Sequence, residues 1–305
     1  MGEVLSLSWI EFAGRPRNLD WRSGDVRLIV TADVGPRILW ASGVDEVNHL
    51  AVYERHQGLT GGASYRSYGG HRLWTAPEVP ERTYEPDNDP VEVDEQGEWT
   101  FFRTGTPSAM GLLKSIGLAP GPAPNSVRVR HLVENAGSTV HEVAAWAITV
   151  MRPGGFCLFP QPEFVPHGQA LLPARPLVLW PYANMADPRW QWGQELIQLD
   201  QTAADNPQKV GAFVSQGWAA YVRGGEIFLK QFPADPSARY PDMGCNFEAF
   251  TRHDMLEVES LSPLTLLAPG QSIHHDEVWT LLKLSAPPTT ESDWRRVLEQ
   301  SIDGV

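Results

Sequence analysis

Apolar and polar residues alternate with a period of two over most of this chain, in short runs broken by Gly, Pro, Asp or Asn. VLSLSWIEF from Val4, DVRLIVT from Asp25 and PRILWAS from Pro36 open the chain as a meander of strands, because β-branched and aromatic residues at that period suit a pleated, half-buried surface. The pattern resumes in WTFFRT from Trp99 and SVRVRHLVEN from Ser126, joined by the Pro-rich LAPGPAPN from Leu118. HEVAAWAITV from His141 is apolar on both parities and predicts a central strand. LLPARPLVLWPY, ELIQLD, KVGAFVS, WAAYV and EIFLKQF continue as short strands at even spacing, which favours a sandwich or barrel over a βαβ architecture. One helical period stands out, in SDWRRVLEQSI, where Trp294, Val297, Leu298 and Ile302 share a face and Ser292 offers an N-cap.

Two stretches break the alternation. Residues 58 to 80 carry two Gly-Gly pairs and no clear period, and read as an ordered loop. Residues 81 to 98 are acidic and Pro-containing, and predict a solvated loop with one short strand near Val91. Asp87, Asp89 and Asp94 there lack the spacing and central glycine of an EF-hand. The 305 residues read as one large β-domain spanning 1–305.

Composition narrows the partners. A formal charge of -13 argues against nucleic acid or an anionic membrane, since both demand a basic surface; a small neutral molecule fits better. The two cysteines, Cys157 and Cys245, form no CxxC pair and signal neither zinc nor a disulfide framework. No apolar stretch is long enough for a membrane helix and the N-terminus has no secretory pattern, so a cytoplasmic setting is expected. MGEVLS meets the loose myristoylation pattern, which chance often satisfies. Neither a dinucleotide fingerprint nor a P-loop occurs.

Three constellations could carry chemistry. In SYRSYGGHRLWTAPE, Arg66, His71, Arg72 and Trp74 crowd around Gly69 and Gly70, where glycine lets backbone approach a ligand and Trp offers a flat face to a sugar ring. VLWPYANMADPRWQWG gathers Trp180, Tyr182, Asp187, Arg189, Trp190 and Trp192, more aromatic surface than a polar segment leaves uncovered. SIHHDEVW looks like a metal set, but alternation sends His275 and Glu277 to one face and His274 and Asp276 to the other, so no metal is expected. In LEVES, the same alternation puts Glu257 and Glu259 side by side, with α-carbons roughly 6.5 to 7 Å apart. That pair suits either a shared-proton site or the wet face of a strand.

GPRILWASGVDEVNHL from Gly35, YGGHRLWTAPE from Tyr68, VENAGSTVHEVAAWAITV from Val133 and MLEVESLSPLTLLAPGQSIHHDEVW from Met255 together resemble the galactose-mutarotase-like superfamily, in the right order over nearly the whole chain. The likeness is to a family beside the aldose 1-epimerases. It implies an all-β fold, a large antiparallel β-supersandwich with the short helix at its C-terminus. It also implies a sugar bound across a concave sheet and opened at its ring by a glutamate base and an acid, with no cofactor. Glu257 matches the base, with Glu259 as its competitor. Where the superfamily has a histidine in the strand HEVAAWAITV, this chain has Trp146. His71 is then the expected acid, with Arg72 or Lys209 as electrostatic substitutes. Arg37, Arg66, Arg72, Trp74, Trp146, Trp180, Arg189 and Lys209 are expected to shape the pocket. The rival readings are a non-catalytic sugar-binding protein and a polysaccharide lyase or glycosidase-like enzyme.

Overall fold

The computed structural model describes residues 5–303; residues 1–4, which carry most of the MGEVLS pattern, lie outside it. Two antiparallel sheets, one of eleven strands and one of ten, face each other across the main core. The eleven-stranded sheet places His71–Ala76, His141–Met151, Met255–Leu261, Phe247–Arg252 and Gln208–Ala212 side by side in that order. Ser126–Asn135, Ser272–Lys283 and Glu226–Gln231 lie together in the other sheet. This is the antiparallel β-supersandwich the resemblance implies.

Strand parity decides what each sheet shows to the core. Leu73, Val143, Ala145, Leu256, Val258, Val210 and Phe247 point inward and join Val129, Phe228 and Trp279 of the other sheet. Their neighbours Trp74, Trp146, Ile148 and Leu261 form a second apolar cluster on the outward face. Both faces of these strands are buried, which is why HEVAAWAITV lacks a polar parity. The outer face of the ten-stranded sheet is covered by the C-terminal helix Glu291–Asp303, whose Trp294, Leu298 and Ile302 pack on Leu158, Trp218 and Leu229.

Five local expectations are corrected. His71–Ala76 is a fully buried strand rather than loop, because pairing on both sides, to Arg37–Ser42 and His141–Met151, overrides its weak period. Gly69 and Gly70, both at positive φ, approach the protein's own backbone: an added Cβ would stand 2.3 Å from Ala51 O and 2.2 Å from Ile38 O. The helix is capped by Thr290, whose Oγ1 accepts from Asp293 N at 3.2 Å, and not by Ser292. In LLPARPLVLWPY only Leu177–Leu179 forms a strand, and the acidic stretch begins in a short helix, Pro80–Thr83.

A polar seam crosses the middle of the core. Lys230 is fully buried and its Nζ lies 2.9 Å from Glu277 Oε1, donating also to Ala147 O and Val258 O. Burial pushes the Glu277 carboxyl up, but Lys230, two nearby imidazoles and the Ser260 hydroxyl outweigh it and hold it at about 2. Lys230→Met is therefore expected to cost about 3 to 5 kcal/mol, because it strands a buried carboxylate. Urea unfolding checks this, and adding Glu277→Gln should recover part of the loss. A second mutation with no recovery would show that the two charges are uncoupled.

Candidate functional site

On the outward face of the eleven-stranded sheet lies a cleft of about 1040 Å³. Its floor is set by register. Glu257 pairs across the strands with Phe250, which pairs with Lys209, so these three residues form one row. Arg72, Ile148, Glu259 and Glu248 form the next row, and Trp74, Trp146 and Leu261 the one after. Walls come from loops bearing Tyr65, Tyr84 and Tyr182, and from the turn Arg252, His253 and Asp254.

Glu257 is the one carboxylate of the predicted pair that lines the cleft. Its Oε1 accepts from Arg72 Nη2 at 3.0 Å. Arg72 is almost fully buried, lies 4.3 Å from the Trp74 ring centroid, and leaves Nε and Nη1 without a partner among the described residues. A buried guanidinium with two unsatisfied N–H groups beside a cleft is costly unless a ligand oxygen meets them. Trp74 meets Trp146 edge-on at 5.5 Å and Tyr84 at 5.4 Å, giving an apolar wall.

Glu259 stands on the same face as Glu257, as alternation requires, but is fully buried beneath the cleft. It accepts from Trp146 Nε1 at 2.7 Å and from Lys209 Nζ at 3.2 Å. Lys209 also lies 2.6 Å from Glu248, with its Nζ over the Trp146 and Trp180 rings. Burial pulls the Lys209 ammonium down, yet Glu248 and Glu259 outweigh it and the net displacement is upward. Burial raises both carboxyls, Lys209 opposing it in each. Gly211 faces Glu248 across the strands; a Cβ there would meet Cys245 Sγ at 2.5 Å and Trp180 Cζ3 at 3.3 Å, so its absence lets Trp180 close over this cluster.

The remaining predicted residues lie elsewhere. His71 is adjacent to Arg72 on one strand, so it points to the opposite face, and the expectation that it supplies an acid in the cleft fails on parity. It sits in the core, 2.6 Å from His131 Nε2 and 2.9 Å from Thr149 Oγ1. Arg37 is buried on Asp87 at 2.6 Å and on Gly69 O at 3.1 Å, holding the neighbouring loops. Arg66 bonds Gly61 O at 2.7 Å, within its own loop. Arg189 is locked on Asp187 by two hydrogen bonds of 2.8 and 2.9 Å, and Trp190 stacks on Trp192. Trp180 reaches the site through Lys209 rather than by lining the cleft.

His275 and Glu277 point inward and His274 and Asp276 outward, as alternation predicts. His71, His131 and Glu277 approach within 4.8 Å of one another, but their donors already have protein partners. Thr149 bonds His71, the two rings bond each other, His131 Nδ1 meets His275 O, and Glu277 takes Ser260, Trp279 and Lys230. Glu248 was missed in the sequence; the signal was a lone carboxylate in the apolar strand Phe247–Arg252.

No family model matches this sequence, and no curated protein matches it. Solved structures do. A galactose mutarotase-like protein from Lactobacillus casei superposes with a TM-score of 0.53 at 9% identity, covering 91% of this chain and 100% of that one. A protein from Klebsiella pneumoniae, described as a candidate aldose 1-epimerase, superposes with a TM-score of 0.58 at 15% identity over 99% of this chain and 87% of its own. A galactose mutarotase-like protein from Clostridium acetobutylicum gives 0.53 at 8% identity, covering 92% and 99%. At such identities the likeness establishes the fold: the chain has the galactose-mutarotase-like fold, in accord with the resemblance of its motifs. No helix among the described residues is long and apolar enough to cross a membrane.

Proposed function

We propose that the cleft binds a saccharide and that the protein interconverts its anomers as an aldose 1-epimerase-like isomerase. The observation that carries this reading is Glu257 on the cleft floor, beside the Trp74–Trp146 wall and bonded to an Arg72 with N–H groups to spare. An aromatic wall suits the C–H face of a pyranose, and the guanidinium suits its hydroxyls. Glu257 would take the O1 proton as the C1–O5 bond opens; rotation about C1–C2 and reclosure give the other anomer. The fold neighbours described as mutarotase-like support the same reading.

A second reading, a sugar-binding protein without catalysis, is favoured by one observation. At the strand position where the superfamily implies a histidine, Trp146 carries a non-transferable N–H committed to Glu259. Binding itself is tested by tryptophan fluorescence during titration with a panel of aldoses. Arg72→Met should lower affinity about 10- to 100-fold, the worth of one or two charge-assisted hydrogen bonds. Unchanged affinity would remove Arg72 from the site, and a flat titration of the wild type with every aldose would sink both readings.

A further inference from the structure

Glu257 accounts for the proton that leaves O1; the ring oxygen needs a proton as the ring opens. His71 lies in the core and Trp146 has no proton to give, so the superfamily's means of supplying it is absent from the cleft floor. We infer that Lys209 donates this proton and that Glu248 resupplies it, an inference that rests on the saccharide reading above.

The geometry is that of the row Lys209, Phe250, Glu257 across three adjacent strands. Two inter-strand spacings separate the outer α-carbons by roughly 10 Å. A pyranose with its anomeric carbon over Phe250 would turn O1 toward Glu257 on one side and the ring oxygen, bonded to the same carbon, toward Lys209 on the other, and all three residues line the cleft. Lys209 Nζ lies 2.6 Å from Glu248 Oε2 and 3.2 Å from Glu259 Oε2, walled by Trp146 and Trp180. Glu248 and Glu259 are cross-strand partners and both are fully buried. Two buried carboxyls that share one ammonium do not both ionise readily, so one keeps a proton. Glu248 Oε1 and Glu259 Oε1 have no other partner among the described residues, which leaves an oxygen free to hold it.

The transfers balance. As C1–O5 breaks, its electron pair on O5 takes a proton from Lys209 Nζ, while Glu257 takes the proton of the O1 hydroxyl and C1 becomes a carbonyl. The Glu248 carboxyl then passes its proton to Lys209. Ring closure runs these transfers backwards on the opposite face of C1, so the protein returns to its starting charge. The groups facing Lys209 are Glu248, Glu259, Glu257 and Tyr182, and Glu248 also faces Asp242 and Cys245.

Lys209→Arg is the decisive substitution, because arginine keeps the charge and the ion pairs but does not give up its proton. Sugar binding should survive, and saturation transfer between anomeric protons should slow about 100-fold or more, the scale of a lost general acid. At the alkaline limb of the pH–rate profile Glu248 has lost its proton and is a negative neighbour of Lys209, so Glu248→Gln, a positioning change, should move that limb to lower pH. If Lys209→Arg does not fold, that profile decides alone. An arginine variant with wild-type exchange, or an unmoved alkaline limb, overturns the inference. When Glu257→Gln is inactive under the same conditions, only the Lys209 assignment falls; no exchange by the wild type removes the saccharide-isomerase reading with it.

Discussion

Glu257→Gln slows anomer exchange by about 100- to 10,000-fold, the range for losing a positioned general base, while sugar affinity stays close to wild type. Glutamine has the size of glutamate, and its amide oxygen still accepts from Arg72, so the 3.0 Å contact in the cleft survives. What it lacks is the capacity to take a proton from O1. Separate measurement of exchange by NMR and of binding by tryptophan fluorescence distinguishes the roles. Parallel loss of both would make Glu257 a binding group and favour the non-catalytic reading. The neighbouring Glu259→Gln is a different experiment, because Glu259 is sealed under Trp146 and Lys209 and meets no substrate.

Stability falls steeply as pH drops below about 6.5, the pKa of an unfolded histidine. Burial lowers His49 to about 4 and His275 to about 3, and drives His71 and His131 down as well. A group whose folded pKa is depressed binds fewer protons folded than unfolded, so its contribution is complete above about pH 6.5 and is lost progressively as pH falls toward its folded value, about 4 for His49 and about 3 for His275. Each such ring contributes a slope of at most about 1.4 kcal/mol per pH unit. Glu248 and Glu259 work the other way, since burial raises them and a raised carboxyl binds more protons folded than unfolded. The net expectation is about 3 kcal/mol per pH unit between pH 6 and 5. Urea unfolding at pH 7, 6 and 5 checks it; a flat profile would mean that these imidazoles are charged in the folded state.

The sequence showed strands well and partners poorly. Period-two alternation put Glu257 and Glu259 on one face and split His274–His275–Asp276–Glu277 correctly, because parity is a local property. It could not say which face of HRLWTA or HEVAAWAITV meets the second sheet, since both faces are buried. That gap produced the error over His71, which sits in the core while its neighbour Arg72 lines the cleft. Glu248, Lys209 and Trp146 come from three strands and meet only through sheet order, which no local pattern encodes. Arg37, in the GPRI motif, and Arg189, in the aromatic-rich segment, read as pocket residues; each instead neutralises a nearby aspartate.

The central claim is that the cleft over Glu257 holds a sugar at its anomeric centre and exchanges its anomers. Saturation-transfer NMR on the wild-type protein tests this most directly: irradiate one anomeric proton of each aldose in a panel and read the other. For at least one aldose, transfer should rise in proportion to protein concentration above the buffer rate. Transfer at the buffer rate for every sugar, including any shown by fluorescence to bind, would contradict the claim.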